Sequence, residues 1–380
     1  MERGMKVRAP QAQRGGTGCI VTFSPCPPAQ RLEPEWRELE TESAGSVFLS
    51  WPWIGSMLTA MGPNSLLVRV SHGERTIGLG LVGIQGRRRF ALRPPALHLN
   101  ETGNPVHDRI MTEYNGLLTL PGREDEAAEA VLAAIRDSAE LGRRNLYLSG
   151  VPGQWREICR RQGLATRLLR PPQDAPYALL QTGPAGDLPS AMTRNSRQQI
   201  RRSLRYYEQH HPLALERAEN AAQALEWLDG LEVLHTRSWL RRGKGGAFSD
   251  PSFKTFHRRL ILANFAEGVP DILRVRTGDA ILGYLYNLRW RGVASSYQSG
   301  FDFGDDARAR PGLVAHVLAM RLYRAEGLSA YRFLAGDARY KTSLTTHSDP
   351  LVWMVAHRPG MARWLGETAD RVLSAIGARM

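Results

Sequence analysis

Three runs in the last third of the chain bring turn-forming, phosphate-binding and proton-transferring residue types close together. They are Tyr297-Gln298-Ser299-Gly300-Phe301-Asp302-Phe303, then Arg308-Ala309-Arg310-Pro311-Gly312-Leu313-Val314, then Phe333-Leu334-Ala335-Gly336-Asp337-Ala338-Arg339-Tyr340-Lys341. The first reads as a strand end, the second as a helix start, the third as a strand entering a tight turn. A helix start offers unpaired N–H groups and the positive end of its dipole to a phosphate. Pro311 removes one donor, while Gly312, Leu313 and Val314 keep theirs and Arg308 and Arg310 add charge. Attack on a carbonyl carbon needs a donor for the carbonyl oxygen and a base for the attacking nucleophile. Backbone at Ser299 and Gly300 could supply the donor, Asp302 the base, and Tyr297 a contact to substrate. Tyr340 could protonate the leaving group, Lys341 could bind phosphate or an acidic substrate, and Asp337 could cap the turn. Each residue also has a plainer role. Tyr297 and Phe301 suit a core, Asp302 suits a turn, and Asp337 with Lys341 makes an i, i+4 pair.

A second polar concentration lies between His98 and Gly116. Glu101, His107, Asp108, Tyr114 and Asn115 are candidates for acceptor binding, expected where two lobes meet. Glu113 is favoured over Asp108 as a base because it directly precedes a strand. No pair shows a spacing such as His-x-x-x-His, so no metal is expected. A third feature is a basic helix carrying Arg194, Arg197, Arg201, Arg202 and Arg205. It suits an anionic ligand, a tRNA acceptor end or anionic lipid, or else a solvated face. Only Tyr206 and Tyr207 interleave, which argues against sequence-specific nucleic-acid reading.

These residues must be positioned by ordinary elements. Strands are expected at 65–70, 76–85, 88–92, 117–120, 145–149 and 177–181, with helices at 124–141 and 154–161 and a cap at Ser50. In the later part, helices are expected from about 195 (capped by Asn195 or Ser196), at 221–241, 251–266, 312–326 and 361–376. Strands are expected at 213–216, 272–276, 281–290, 293–299, 331–334 and 351–357. Asp250 followed by Pro251 is a helix start signal. The outline predicts a disordered leader over 1–30, a first lobe over 31–183 and a second over 184–380.

Composition sets the outer bounds. At 380 residues with 42% hydrophobic content, the chain can bury two cores without staples. Three cysteines are too few for a disulfide framework and point to a reducing, cytoplasmic setting. The formal charge of +13 favours anionic partners, including coenzyme phosphates, RNA or the inner face of a membrane. No apolar run is long enough for a membrane-spanning helix.

The order of elements in the second half resembles that of the GNAT acetyltransferases. The chain from about 35 to 360 is similar to the CelD/BcsL-type family (BioF2-like), which has two GNAT-like lobes and is related to the FemAB-type aminoacyl transferases. The residues carrying this are Tyr297-Gln298-Ser299-Gly300-Phe301-Asp302, Pro311-Gly312 and Gly336-Asp337-Ala338-Arg339-Tyr340-Lys341, the last matching Gly-(Asp/Glu)-x-x-Tyr-Lys. The segment from Glu101 to Gly116 resembles the polar motif of the first lobe. The resemblance implies an α/β (α+β mixed sheet) class with tandem GNAT-like acyltransferase folds. It also implies transfer of an acyl group, acetyl above all, from acyl-CoA as co-substrate to an amine or hydroxyl. The acceptor would be a small molecule or saccharide, such as a polysaccharide or envelope precursor. The GNAT pyrophosphate loop has the form (Gln/Arg)-x-x-Gly-x-(Gly/Ala), whereas this chain has Arg308-Ala309-Arg310-Pro311-Gly312-Leu313. An aminoacyl-tRNA donor, as in FemAB-like enzymes, is the alternative, and a non-catalytic scaffold in envelope polysaccharide assembly is a third reading.

Overall fold

The computed structural model describes residues 11–14, 18–58, 65–85, 95–181, 193–209, 211–304, 306, 308–336, 339–345 and 347–359. The strand expected at 88–92, the helix expected at 361–376 and the first ten residues of the expected leader lie outside them. The chain divides into two compact units, Met1–Pro172 with Leu351–Met380, and Gln173–Pro350.

The first unit runs through β1 (Gln11–Arg14), β2 (Cys19–Pro25), α1 (Ala29–Glu42), α2 (Trp51–Leu58), β3 (Ser65–His72), β4 (Arg75–Gln85), β5 (Ala96–Leu99), β6 (Leu118–Thr119), α3 (Glu124–Asp137), β7 (Asn145–Pro152), α4 (Trp155–Arg161) and β8 (Ala165–Leu168). The expectation of disorder over 1–30 fails for β1 and β2. Cys19, Val21 and Phe23 alternate inward along β2 and are buried, and β2 pairs antiparallel with β3. That period of two, short and set among Pro and Gly, was masked by the composition around it. Ser50 does not cap α2. Its hydroxyl donates to the Val47 carbonyl at 2.6 Å, while the buried Glu40 carboxylate accepts the Trp51 N–H at 2.5 Å. β5 also went unforeseen, because four residues beside a polar segment give little periodicity.

The second unit continues through β9 (Gln173–Leu179), α5 (Arg194–Glu208), β10 (Leu213–Arg217), α6 (Ala221–Leu240), α7 (Pro251–Asn264), β11 (Pro270–Thr277), β12 (Ala280–Trp290), β13 (Val293–Phe301), α8 (Pro311–Ala325), β14 (Ala330–Arg332) and α9 (Arg339–Leu344). The last strand, β15 (His347–His357), pairs antiparallel with β7 and β8 from Leu351 onward, within the first unit. Asp250 caps α7 as expected, accepting from the Ser252 N–H at 2.9 Å. α5 is capped by Thr193, not by Asn195 or Ser196, because the Thr193 hydroxyl accepts the Ser196 N–H at 3.1 Å.

Both units are mixed α/β layers. In the first, strands run in the order β1-β2-β3-β4-β5-β7-β15, with β5 and β7 parallel. In the second the order is β9-β14-β13-β12-β11-β10, with β13 and β14 parallel and the rest antiparallel. The second core gathers Leu273, Val275, Leu285, Val314, Val317, Met320 and Tyr331 between the sheet and α8. Fully burying each such side chain contributes about 1.5–3 kcal/mol, which fixes α8 on the sheet. Among the described residues no helix is long and apolar enough to cross a membrane.

Candidate active site

In the second unit the site grows out of β13. Its antiparallel pairing with β12 runs to Phe301, but its parallel pairing with β14 covers only Val293, Ala294 and Ser295. β14 ends at Arg332, and the Phe333 N–H then turns to the Pro176 carbonyl at 2.9 Å. Among the described residues the pairing of β13 with β14 stops at Ser295, so the later part of β13 is not laddered to β14. Ser299 and Gln298 are half-buried there. An opened strand edge presents backbone N–H groups that a donor's carbonyl oxygen can accept from.

Two close approaches hold the edge in place. A Cβ on Gly300 would lie 2.4 Å from the Leu231 carbonyl oxygen of α6, so only glycine lets α6 pack there. One turn along α6, His235 Nδ1 donates to the Ser299 carbonyl at 3.1 Å. Burial lowers the pKa of His235 and keeps it neutral for that role. His235 was not foreseen. Its signal was only a histidine on an amphipathic helix, which is more often structural.

α8 starts beside this edge. A Cβ on Gly312 would approach the Phe301 ring to 3.0 Å. Of the three N–H donors expected, that of Val314 is taken by the Arg310 carbonyl at 3.2 Å. Those of Gly312 and Leu313 make no hydrogen bond among the described residues. Arg308 and Arg310 are exposed but engaged. Arg308 pairs with Asp306 at 2.5 Å and lies over the Tyr206 ring, and Arg310 donates to Gln199 at 2.6 Å. The Ser203 hydroxyl donates to the Arg308 carbonyl at 3.0 Å. The loop before α8 is thus tied to α5, whose Arg194, Arg201, Arg202 and Arg205 are exposed.

The remaining expected residues fall as follows. Asp302 is exposed, 3.5 Å from Arg237. Tyr297 is buried in an aromatic group with Phe253, His257 and Tyr286. Lys341 is buried, and its ammonium donates to the carbonyls of Leu334 and Ala335 at 3.0 and 2.8 Å, so its charge holds the end of the third run in place. Leu334 itself has a φ of +58°, a left-handed conformation unusual for leucine. Asp337 and the side chain of Tyr340 lie outside the described residues. His316 of α8, also unforeseen, is buried between Phe301 and Phe333 with Nδ1 2.9 Å from the Tyr331 hydroxyl, and burial pushes it down to about 3.

In the first unit the polar segment is folded inward. Asn100, Met111 and Tyr114 adopt positive φ angles of 48°, 49° and 47°. Such backbone costs on the order of 1–3 kcal/mol per residue and persists only where surroundings enforce it. Here two asparagines enforce it. Asn100 accepts the Leu81 N–H and donates to Asn115 Oδ1 and the Gly116 carbonyl, while Asn115 donates to the carbonyls of Leu99 and Ser149. Asn115, expected to touch substrate, is a brace. Glu101 is 9% exposed, its carboxylate accepting the Ser149 hydroxyl at 2.8 Å. A Cβ on Gly83 would meet the Glu101 carbonyl oxygen at 2.1 Å, so β4 gives way to this backbone at a glycine. Asp108 accepts from the backbone and hydroxyl of Thr102, both at 2.7 Å. Burial, and then the charge of Asp108, hold the Glu101 carboxyl above the ordinary range. His98, not foreseen, comes within 3.9 Å of Glu101, but burial pushes it down to about 4, so this is no ion pair at neutral pH. Glu113 is buried near Arg170, His107 is half-buried, and Tyr114 is held by the Ser46 hydroxyl on its carbonyl at 3.1 Å.

Residues 194–342 match the family model described as the acetyltransferase (GNAT) domain. FemX is similar in fold, with a TM-score of 0.61 at 9% identity over 92% of this chain and 99% of that one. The C-terminal domain of a protein from Agrobacterium fabrum, named as a lysylphosphatidylglycerol synthetase, gives 0.53 at 12% over 90% and 95%. L-PGS from Bacillus licheniformis gives 0.52 at 10% over 89% and 96%. No curated protein matches the chain in sequence. The fold is similar to that of FemX, and the acetyltransferase (GNAT) domain at 194–342 supports an acyl-group-transferring enzymatic activity.

Proposed function

We propose that this enzyme takes an aminoacyl group from charged tRNA and passes it to an amine or hydroxyl of an envelope precursor. The observation that carries this is the arginine face of α5, anchored to the α8 start through Ser203, Gln199 and Tyr206. From Arg194 to Arg205 the helix rises roughly 16 Å, at about 1.5 Å per residue. That is more cationic length than one diphosphate needs, and it suits a run of nucleic-acid phosphates. The α8 start points the same way, since Pro311 and the bonded Val314 leave only Gly312 and Leu313 as backbone donors. The likeness to FemX, and to a synthetase whose name states a lysyl product, supports the reading.

In this reading the donor's ester carbonyl lies along the opened edge of β13 near Ser299 and Gly300. The acceptor nitrogen or oxygen attacks the carbonyl carbon, Asp302 takes its proton, the ester C–O bond breaks, and Tyr340 protonates the leaving ribose oxygen. Gly336-Asp337-Ala338-Arg339-Tyr340-Lys341 supports a CelD/BcsL-type assignment, and Glu101, His107, Asp108 and Tyr114 are proposed to face the acceptor. The setting proposed is the cytoplasm or the inner face of its membrane, in keeping with Cys19, Cys26 and Cys159 standing outside any disulfide.

Acetyl-CoA as donor is the second reading, favoured by the acetyltransferase family match. Calorimetric titration with aminoacyl-tRNA and with acetyl-CoA, each across a salt series, separates the two. Binding of tRNA that weakens steeply with salt is expected. Tight acetyl-CoA binding with no affinity for tRNA would overturn the first reading in favour of the second, and binding of neither would leave the scaffold.

A further inference from the structure

Next to the braced loop of the first unit, three side chains from β5 and the segment after it converge: His98, Glu101 and Asp108. Each offers one atom that can bind a metal, and these atoms lie within 4.8 Å of one another. The Glu101 carboxyl is buried and that of Asp108 is half-buried. Glu101 has Ser149 and the opposing Asp108 as its neighbours, and Asp108 has Thr102, the Gly103 backbone and the partly exposed His107. Two carboxylates so placed need either a shared proton or a cation, because desolvation of like charges is costly.

His98 supplies the observation that favours a cation. Its side chain is only 12% exposed, and neither ring nitrogen makes a hydrogen bond among the described residues. Nδ1 points to Glu101 at 3.9 Å, and Nε2 is wholly enclosed. The ring is held by stacking on Tyr147, with centroids 4.5 Å apart and planes 11° from parallel. A buried imidazole ordinarily finds a hydrogen-bond partner, and a neutral imidazole facing two carboxylates has the character of a metal ligand. Gly103, with a φ of +75°, leaves the ring its room, since a Cβ there would come within 2.9 Å of it.

We propose that His98, Glu101 and Asp108 bind one divalent cation of the borderline class, Zn2+ or Mn2+. One imidazole nitrogen with two carboxylate oxygens suits these ions better than Mg2+, which prefers oxygen alone. Bonds of about 2.0–2.2 Å would draw the three donors inward, with water completing the shell. The ion would clasp 98–108 against the Asn100–Asn115 brace, and nothing in this depends on which acyl donor is used. Sequence spacing gave no hint of it, because Asp108 joins the other two only through the turn after Gly103.

The test is calorimetric titration of the metal-free full chain with Zn2+ and, separately, with Mn2+, using Mg2+ as a control. Cys19→Ser is included throughout, to silence the second cluster of Cys19, His72 and Glu126. One equivalent per chain is expected for Zn2+ or Mn2+. Binding should be abolished by Glu101→Gln with Asp108→Asn, and weakened at least about tenfold by His98→Gln. As a check that needs no variant, Mn2+ should broaden the ring resonances of Tyr147. Absence of stoichiometric binding of both ions, binding undiminished in the Glu101→Gln/Asp108→Asn chain, or stoichiometric Mn2+ binding that leaves the Tyr147 ring resonances sharp would each overturn the site.

Discussion

In the first unit the polar segment 98–116 turns inward, is bent through three left-handed non-glycine residues and Gly103, and is pinned by asparagine amides that bond backbone on both sides. In the second, the chemistry-bearing runs sit at places where regular structure stops: the pairing of β13 with β14 ends at Ser295, and α8 begins with a proline. The first unit spends hydrogen bonds to hold a strained loop. The second leaves backbone groups open and holds the opening from behind with buried rings and histidines. A braced loop suits fixed recognition of a small group, whereas an opened edge flanked by arginines suits a carrier that arrives and leaves.

Substitutions can break this contrast. The largest effect is expected for Asn115→Leu. It removes the amide that serves Leu99, Ser149, Asn100 and Gly116. At about 1–3 kcal/mol for each orphaned buried group, a loss of about 3–5 kcal/mol should appear in urea unfolding. A loss under 1 kcal/mol would deny the brace.

Acidification should strike the second unit. Burial pushes His257 and His316 down to about 3, so both stay neutral in the fold while the unfolded chain binds protons below about pH 6.5. Their folded pKa values are depressed, so this stability is full above about pH 6.5 and drains as pH falls toward 3. By pH 5 the pair should have lost about 4 kcal/mol. Hydrogen exchange at pH 7 and pH 5 reads it, with protection falling on α7 and α8. Equal protection at both would contradict the buried neutral assignment.

Gly312→Val comes next. It would push the Phe301 ring and displace the α8 start, costing about a hundredfold in kcat/KM for acyl transfer. Hydrogen exchange in the first unit should be unchanged, and an unaffected kcat/KM would separate the α8 start from the reaction. The smallest effect is that of Arg201→Gln and Arg205→Gln on the arginine face. Each should reduce the salt slope of tRNA binding by about 1 without altering thermal stability. A slope that stays put would make the face a solvated one.

Much of the second unit was legible in the sequence. Asp250 with Pro251 declares the start of α7 within two residues, and α8 falls close to the helix expected at 312–326. That Gly300 and Gly312 must be small was decided by packing against Leu231 and Phe301. The first unit hid more. β2 is a strand inside a stretch whose Pro and Gly content reads as unstructured, and β5 is four residues long. Neither carries a local signal strong enough to outweigh its neighbours, and both are strands because β3 and β4 offer them partners.

What the sequence determined by itself was the reaction class. The runs Tyr297–Asp302, Pro311-Gly312 and Gly336–Lys341 are each contiguous, so their resemblance to the GNAT and CelD/BcsL-type motifs can be read from the chain alone. What only the tertiary structure decided was which groups stand together. His235 reaches Ser299 across 64 residues, Ser203 reaches Arg308 across 105, and Ser149 reaches Glu101 across 48. Lys341, read as a phosphate ligand, has its charge on two backbone carbonyls instead. Such pairings are set by how helices pack on sheets, and burial then fixes the protonation each group keeps. Periodicity along one chain carries neither.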